Sequence, residues 1–584
     1  MSSTRKSEVL YPLGAGLLLY FIFSISGKLY ADGDNYTVAI ILNGLLGNNN
    51  YCQHQHPLLC VLLGLIKKIL PISDCFTLSI HLLLILAIAF VIMILRERFT
   101  ERGQRLIIWS AILYLSFAIV IWSANYTVWA GFFCFAGMLG VFVGKDKKGN
   151  IIAGTLFFML GLMLRHRAGE LFLPYIGLIV AGELISVCGK QQNDVNRKKA
   201  VASVLKRIMP LIIGIVLVLS SRAIFFSIEP WKSGWEYEKA RATLADYPTT
   251  QWEDLETNAA DEVDRLLYKG AGKWMYADTG LMTLDNLKKM GVFGKKNAYA
   301  MDTHGISKAI GFIKMMCVRH HVNILFPLLA LLLLTMLAAR RGRIEAFEAI
   351  AAFIGSFVII FYFIVRGRAP VRVWQSVMLA AFAVVLSILS FEESSDNKAL
   401  LSDKTRKPVM GSVVVFLTAV SVICLIYNGK IHSVTTPLNA GVGAEDGELA
   451  DIYGTEKKYL VCGWSELIEN DKITTDYLYG WNMALQQYSD QDKLPPREFF
   501  RHYISSGWFG YGQEYYSSLL REIGMDNPIS SLIEQDDLYL LDMSEDTMFR
   551  EYFYVYLYDH YGDMMVRKTG ELYGYPIYQF RREL

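Results

Sequence analysis

The chain has 584 residues, of which 53% are hydrophobic and only 19% charged, and its formal net charge is +2. A soluble chain carries about 25% charged residues, so a single soluble enzyme is excluded. The near-neutral balance excludes a broadly basic nucleic-acid binder, and nucleic acid is not an expected partner.

A membrane-spanning helix needs about 20 mostly apolar residues. Windows of that kind fall at 9–26, 75–95, 106–122, 127–143, 151–164, 171–187, 208–228, 322–339, 345–365, 373–391 and 409–427. The expected fold is therefore a polytopic α-helical membrane protein of about 11 spans. The window at 151–164 is short, as half of a hairpin or a tilted helix would be. Lys and Arg crowd alternate loops: Arg5 and Lys6, Arg96 to Arg105, Lys145 to Lys148, Lys190 to Arg207, Arg340 to Arg343, and Lys398 to Lys407. The positive-inside rule puts those loops and the N-terminus in the cytoplasm, and an odd span count puts the C-terminus outside. The first apolar run lacks a small-residue cleavage site and is expected to be a retained helix.

The expected organisation is an N-terminal membrane module, 1–228, with a first external segment at 28–74; an external loop, 229–320; a second membrane module, 321–427; and an external α/β domain, 428–584. In that last region strands are expected at Tyr459–Cys462 and Asp537–Met543, with a terminal strand or hairpin near Met564–Phe580. Helices are expected at Arg497–Ser506, Glu514–Glu522 and Thr547–His560. The eight cysteines show no CxxC spacing, and those in apolar runs read as small packing residues. Cys52 and Cys462 lie outside such runs, and the sequence does not pair them.

The first external segment holds the most chemistry. It carries Asp32-Gly33-Asp34-Asn35-Tyr36 and then Cys52-Gln53-His54-Gln55-His56-Pro57, followed by an apolar stretch ending near Lys67 and Lys68. A carboxylate at a membrane surface is costly without a partner or a task. One task is a general base that takes a proton from an acceptor hydroxyl; the plain alternative is that Asp32 or Asp34 caps a helix from Tyr36 to Leu46. The same segment also offers a mixed N/O set, Asp32, Asp34, His54 and His56, so a divalent metal ion is the one cofactor left open. A His-x-His pair in a loop is more often a surface or substrate contact than a ligand pair.

Arg165-His166-Arg167 and Arg366-Gly367-Arg368-Ala369-Pro370-Val371-Arg372 fall on the expected outer side, against the charge rule. Arginine forks hold phosphate oxygens in bidentate fashion, so Arg366, Arg368 and Arg372, with Arg165 and Arg167, are candidates for a lipid-linked phosphate. Anchoring to anionic headgroups is their plain alternative. No GxxxxGK[ST] or GxSxG is present, and the spans show no row of acids or histidines of the kind a proton-coupled transporter carries.

An external acidic loop straight after the first span, then His56-Pro57 and an apolar juxtamembrane helix, resembles the GT-C superfamily. These polytopic glycosyltransferases use sugars on polyprenyl phosphate, as the protein O-mannosyltransferases and aminoarabinose transferases do. The resemblance spans about residues 9–400 in layout and is specific over about 28–70. It implies Asp34 as the catalytic carboxylate with Asp32 as the substitute, and His56, His54, Tyr36 and Arg241 as substrate contacts. The implied partners are a polyprenyl-phosphate-linked sugar, the lipid bilayer, and an envelope glycan, glycolipid or protein acceptor. The family's adjacent acids are here Asp-Gly-Asp. A narrower element, Arg241-x(4)-Asp246-Tyr247-Pro248, resembles uncharacterised multi-span proteins of Gram-positive bacteria and suggests an Arg241–Asp246 pair. Two other classes fit the layout: a polysaccharide polymerase or ligase, and a non-enzymatic flippase or scaffold.

Overall fold

The structure is a computed structural model. It describes residues 10–18, 20, 33–46, 52–70, 74–99, 125–190, 194–245, 275–289, 303–319, 321–365, 370–390, 415–416, 419, 457–462, 467–469, 472–474, 497–506, 510–542, 547–572 and 575–582.

Among the described residues, five helices are long and apolar enough to cross a membrane: Cys75–Arg98, His166–Gly189, Val195–Phe225, Arg343–Ile364 and Val371–Ser390. A sixth follows if the bent pair Ile310–Val318 and Asn323–Ala338 counts as one broken span. Tyr126–Phe142 and Lys148–Leu164 are apolar but shorter. The protein is a multi-pass membrane protein. The expected spans at 106–122 and 409–427 lie wholly or largely outside the described residues.

The membrane core forms around helices that are apolar on every side, the pattern of a buried helix. All of Tyr126–Phe142 is buried, and nearly all of Val371–Ser390. Lys148–Leu164 folds back on Tyr126–Phe142 at very short range. A Cβ on Gly140 would stand 2.7 Å from Gly154 Cα, so both positions exclude a larger residue. Small residues at a crossing let helix backbones meet where the lipid supplies no hydrophobic push. This explains the short window at 151–164: it is one arm of a tight hairpin. By contrast Val195–Phe225 exposes Leu205, Met209, Ile213, Val216 and Leu217, a face that needs lipid to cover it. Near the expected cytoplasmic end of the bundle, the buried Glu183 takes Arg207 and Lys145 as partners, so the charges inside the bundle are compensated there.

Pro57–Ile69 is amphipathic in an unusual sense. It buries Leu59, Cys60 and Leu63 and exposes Leu58, Val61, Leu62, Leu65 and Ile69, with Lys67 and Lys68 in its last turn. At 13 residues it is too short to span. An exposed apolar face with terminal lysines suits a helix lying in the headgroup layer.

The C-terminal region holds a five-stranded sheet in the order β4-β1-β5-β7-β6, with β1 Lys458–Cys462, β4 Tyr503–Ser505, β5 Leu538–Asp542, β6 Met564–Leu572 and β7 Tyr575–Arg582. β4, β1 and β5 are parallel; β7 and β6 add an antiparallel hairpin. A small separate hairpin joins β2 Leu467–Glu469 to β3 Lys472–Thr474. Strands β1 and β5 fall where the sequence places them, as do the hairpin and the helices Glu514–Glu522 and Thr547–Tyr561. The expected helix at Arg497–Ser506 does not form as such. Only Phe499–His502 is helical, and the chain then enters β4. All three residues of β4 are buried, so the strand lacks the alternation that marks a half-exposed one.

One carboxylate fastens the second expected external segment to this sheet region. Asp278 is 4% exposed. Its Oδ1 accepts from Gly280 N and Leu281 N, each at 3.1 Å, and from Asn527 Nδ2 at 2.9 Å. Its Oδ2 accepts from Tyr561 Oη at 3.2 Å and from Tyr556 Oη. Asn527 in turn caps the helix Pro528–Glu534. Asp278→Ala leaves several buried donors unpaired, at about 1–3 kcal/mol each. The variant is expected to melt well below the parent in a thermal-shift assay in detergent, with Asp278→Asn intermediate; an unchanged melting temperature would contradict this role.

Candidate functional site

The segment expected to be the first external one is pinned from both ends. Asp34 lies within the helix Gly33–Leu42, in its first turn. Just past that helix, Asn43 Nδ2 donates to Asp74 Oδ1 at 2.7 Å, and Asn43 Oδ1 accepts from Phe76 N at 3.3 Å. Asp74 also caps Cys75–Arg98 through Thr77 N. The acid-bearing helix is thereby tied to the start of a spanning helix.

His56 holds the other end. It is the N-cap of Pro57–Ile69, with proline at the first helical position as capping geometry favours. Its Nδ1 accepts from Leu58 N at 3.1 Å. Its Nε2 lies 3.2 Å from Val218 O and 3.1 Å from Ser221 Oγ. Val218 O can only accept, so Nε2 carries the hydrogen and the ring is neutral. The His56 backbone N–H donates to Met163 O at 2.8 Å. Three segments thus meet on one residue. Burial lowers the His56 pKa from 6.5 to about 4, with the charge of Arg222 pushing the same way and the bond to Val218 opposing. The sequence places His56 as a substrate contact and a possible metal ligand. With both ring nitrogens engaged inside the chain, its role here is to anchor the loop.

That anchoring brings the loop against the C-terminal end of the Asp194–Phe225 helix, where Arg222 lies. Arg222 is 7% exposed, and its Nη1 and Nη2 have no hydrogen-bond partner among the described residues. Its guanidinium sits over the rings of Phe226 at 4.1 Å and Trp235 at 4.9 Å. His166, also buried, packs its ring edge against Trp235, and its Nδ1 has no partner among the described residues. The charges of Arg165 and Arg167 are felt at both Arg222 and His166. Nearby carboxylates are already engaged. Arg167 pairs with Glu170 at 2.9 Å. Arg241 holds Glu238 in a buried bidentate pair at 2.9 and 2.6 Å. A buried cation without an anion is costly; among the described residues no group bonds Nη1 or Nη2 of Arg222, and the charge of Glu170 is felt there at longer range.

The other expected site residues fall as follows. Arg165 caps the Lys148–Leu164 helix and lies over the Tyr126 ring at 5.5 Å. His54 Nε2 is 3.9 Å from Glu238 Oε1. Arg241 pairs with Glu238; Asp246, its expected partner, is outside the described residues. Arg372 is half-buried in the first turn of Val371–Ser390. Asp32, Arg366 and Arg368 lie outside the described residues, as do the side chains of Asp34 and Tyr36. Among the described residues no His, Cys, Asp and Glu group has metal-binding geometry. Cys52 and Cys462 are free, buried thiols; burial pushes Cys52 up to about 12 and also raises Cys462.

A small solvent-open cleft with about 10 Å³ of free space, room for about one water, adjoins Phe226 and is lined by Gln53, Phe226, Pro230, Trp231, Gln513 and Glu514. The C-terminal region closes one side. Gln513 Nε2 donates to Gly234 O at 2.9 Å, and Gly512, at φ +72°, leaves room for the Tyr237 ring, which a Cβ would strike at 2.1 Å.

No protein-family model matches the chain, and no curated protein matches it. Solved structures similar to it include the crystal structure of ArnT from Cupriavidus metallidurans in the apo state, at 13% identity over 99% of this chain and 98% of that one, with a TM-score of 0.35. The same protein bound to undecaprenyl phosphate gives 12% identity over the same shares and a TM-score of 0.33. Likeness at that level does not establish a common fold.

Arg222 is the residue that sequence reasoning misses. It sits in the run Leu219-Ser220-Ser221-Arg222-Ala223-Ile224, inside a window read simply as a span. The available signal was a cation within an apolar helix, which by default marks a functional position. For His56, the depressed pKa has a direct consequence. The fold holds the ring neutral, so its contribution is intact above pH 6.5 and is lost as pH falls from 6.5 toward about 4. The melting temperature of the parent is expected to fall more steeply across that window than that of His56→Gln; parallel curves would contradict the anchor.

Proposed function

We propose that the protein is a GT-C-like glycosyltransferase that moves a sugar from a polyprenyl-phosphate donor to a cell-envelope acceptor at the external face of the cytoplasmic membrane. The observation that carries this reading is Arg222: a buried guanidinium whose Nη1 and Nη2 are unbonded among the described residues, in the last turn of an apolar helix. Its aromatic neighbours, and the nearby Arg165 and Arg167, make it a fit for a phosphate at the depth where a lipid-linked donor presents one. The segments 229–320 and 428–584 are read as external and as cover for this site, and the lysine-rich loops as cytoplasmic.

In the proposed reaction the Asp34 carboxylate, or Asp32 in its place, accepts the proton of an acceptor hydroxyl. The acceptor oxygen bonds to the sugar's anomeric carbon as the bond from that carbon to the phosphate oxygen breaks. The electron pair of the broken bond stays on the phosphate, and polyprenyl phosphate leaves. Arg222 with Arg165 and Arg167 neutralises the charge that grows there. Arg366, Arg368 and Arg372 remain proposed donor contacts, and Tyr36, His54 and Arg241 proposed substrate contacts. Direct displacement inverts the anomeric centre. The layout also suits a polysaccharide polymerase or ligase, and the acids separate the two.

The test uses full-length protein in lipid nanodiscs. Arg222→Ala is expected to weaken undecaprenyl phosphate binding at least tenfold, with Arg222→Lys intermediate. Asp34→Asn together with Asp32→Asn is expected to leave that binding intact while abolishing sugar transfer in cell envelopes. Unaltered lipid binding by Arg222→Ala would overturn the donor site. Dispensable acids with Arg222 essential would shift the reading to a polymerase or ligase; if neither matters, a scaffold or flippase remains.

A further inference from the structure

The loop that His56 anchors is flanked by two cysteines, Cys52 before it and Cys60 after it. Both are free thiols, 0% and 1% exposed. The chain between them turns twice. Gln55 N donates to Cys52 O at 3.3 Å, and Cys60 N donates to His56 O at 3.2 Å. That doubled-back path returns Cys60 to Cys52. The Cys52 backbone N–H donates to the Cys60 sulfur, and the charge of a Cys52 thiolate is felt at Cys60. The Cys52 sulfur in turn takes the backbone N–H groups of His54 and Gln55. A disulfide needs Cα atoms roughly 4.4–6.8 Å apart. The Cys60 sulfur lies against the nitrogen bonded to the Cys52 Cα, a placement compatible with that reach.

Other described cysteines are placed differently. Cys75 Sγ meets Ser79 Oγ at 3.9 Å, Cys134 Sγ donates to Phe158 O at 3.8 Å, and Cys462 bonds to Ser506. A buried cysteine is ordinarily a small packing residue. Two features set Cys52 and Cys60 apart from that reading: they face each other across one short loop, and the loop belongs to the segment read as external, where thiols meet oxidising conditions. Burial raises both thiols, Cys52 to about 12. The thiolate is the reactive form, so oxidation belongs to the loop before it docks, and burial then shields the bond.

We infer that Cys52 and Cys60 form an intrachain disulfide that closes the loop around His56. The oxidant is the disulfide of a protein thiol–disulfide oxidoreductase at the outer face. One cysteine attacks that disulfide as its thiolate and forms a mixed disulfide with the oxidant; the second thiolate attacks the first cysteine's sulfur and releases the oxidant. Two thiol protons are lost, one sulfur–sulfur bond forms in the loop, and the two electrons leave on the oxidant's dithiol. The bond fixes Cys52 to the helix Pro57–Ile69 and holds the His56 cap between its ends. The inference rests on the external reading of residues 28–74 and is independent of the transferase reading.

The experiment is thiol trapping in cells that make the full-length protein. Cells are acid-quenched, alkylated and digested with trypsin, and the peptide Leu29–Lys67 is weighed; its cysteines are Cys52 and Cys60 alone. The peptide is expected without alkyl groups and lighter by two hydrogens than the dithiol. In Cys52→Ser the remaining Cys60 is expected to be alkylated, and in Cys60→Ser the remaining Cys52. A strong reductant is expected to lower the melting temperature of the purified parent and to leave that of the folded Cys52→Ser, Cys60→Ser double variant unchanged, which a mere packing role would not produce. Both thiols alkylated in cells, and still free after membranes are treated with diamide, would overturn the inference, as would a bond from either cysteine to a different one. A bond that forms with diamide but is absent from cells would sink the external reading of the segment and leave the pairing standing.

Discussion

The arrangement around Arg222 depends on how a stretch of loop backbone is buried at one end of a helical bundle. Buried peptide groups need partners, and the stretch from Cys52 to His56 finds them through one side chain and its backbone. His56 caps its own helix, donates its backbone N–H to Met163 and meets Val218 through its ring. That closes the loop onto the Lys148–Leu164 and Asp194–Phe225 helices at once. Gln53 and Gln55 are carried inward, the end of the Asp194–Phe225 helix is fixed beside them, and Arg222 comes to lie among aromatic rings.

Two charge environments follow within one bundle. On one side Arg207 and Lys145 both find their carboxylate inside the protein, in Glu183. On the other, Glu170 and Glu238 are taken by Arg167 and Arg241, while the Nη1 and Nη2 of Arg222 stay unbonded among the described residues. Burial raises the strength of any ion pair formed there and the cost of leaving it unformed. The first arrangement holds helices together; the second is open to an anion. The C-terminal sheet region bears on the same place, because Gln513 and Gly512 rest on the helix that carries Trp235 and Glu238.

Much of the fold is legible from sequence where one signal dominates. Cys75–Arg98 and Val371–Ser390 read as spans because nothing interrupts their apolar runs. The Met564–Arg582 hairpin reads from its two strands. The chain from Phe499 to Ser505 reads wrongly because a strand buried on both faces carries no alternation, and four residues of real helix precede it. At the site, position in the chain identified the acidic and histidine-bearing loop, but what each residue does is set by long-range contacts. His56 bonds to a residue 162 positions away, which no local pattern reports. Arg222 was hidden by the strength of the apolar run around it, since a single cation near a helix end also reads as an anchor.

The most direct measurement is an electron cryo-microscopy structure of the full-length protein in nanodiscs with undecaprenyl phosphate. The account predicts the lipid phosphate within hydrogen-bond distance of the Arg222 guanidinium, with the Phe226 and Trp235 rings still against it. A phosphate seated elsewhere on the outer face, with Nη1 and Nη2 of Arg222 still unbonded, would contradict it.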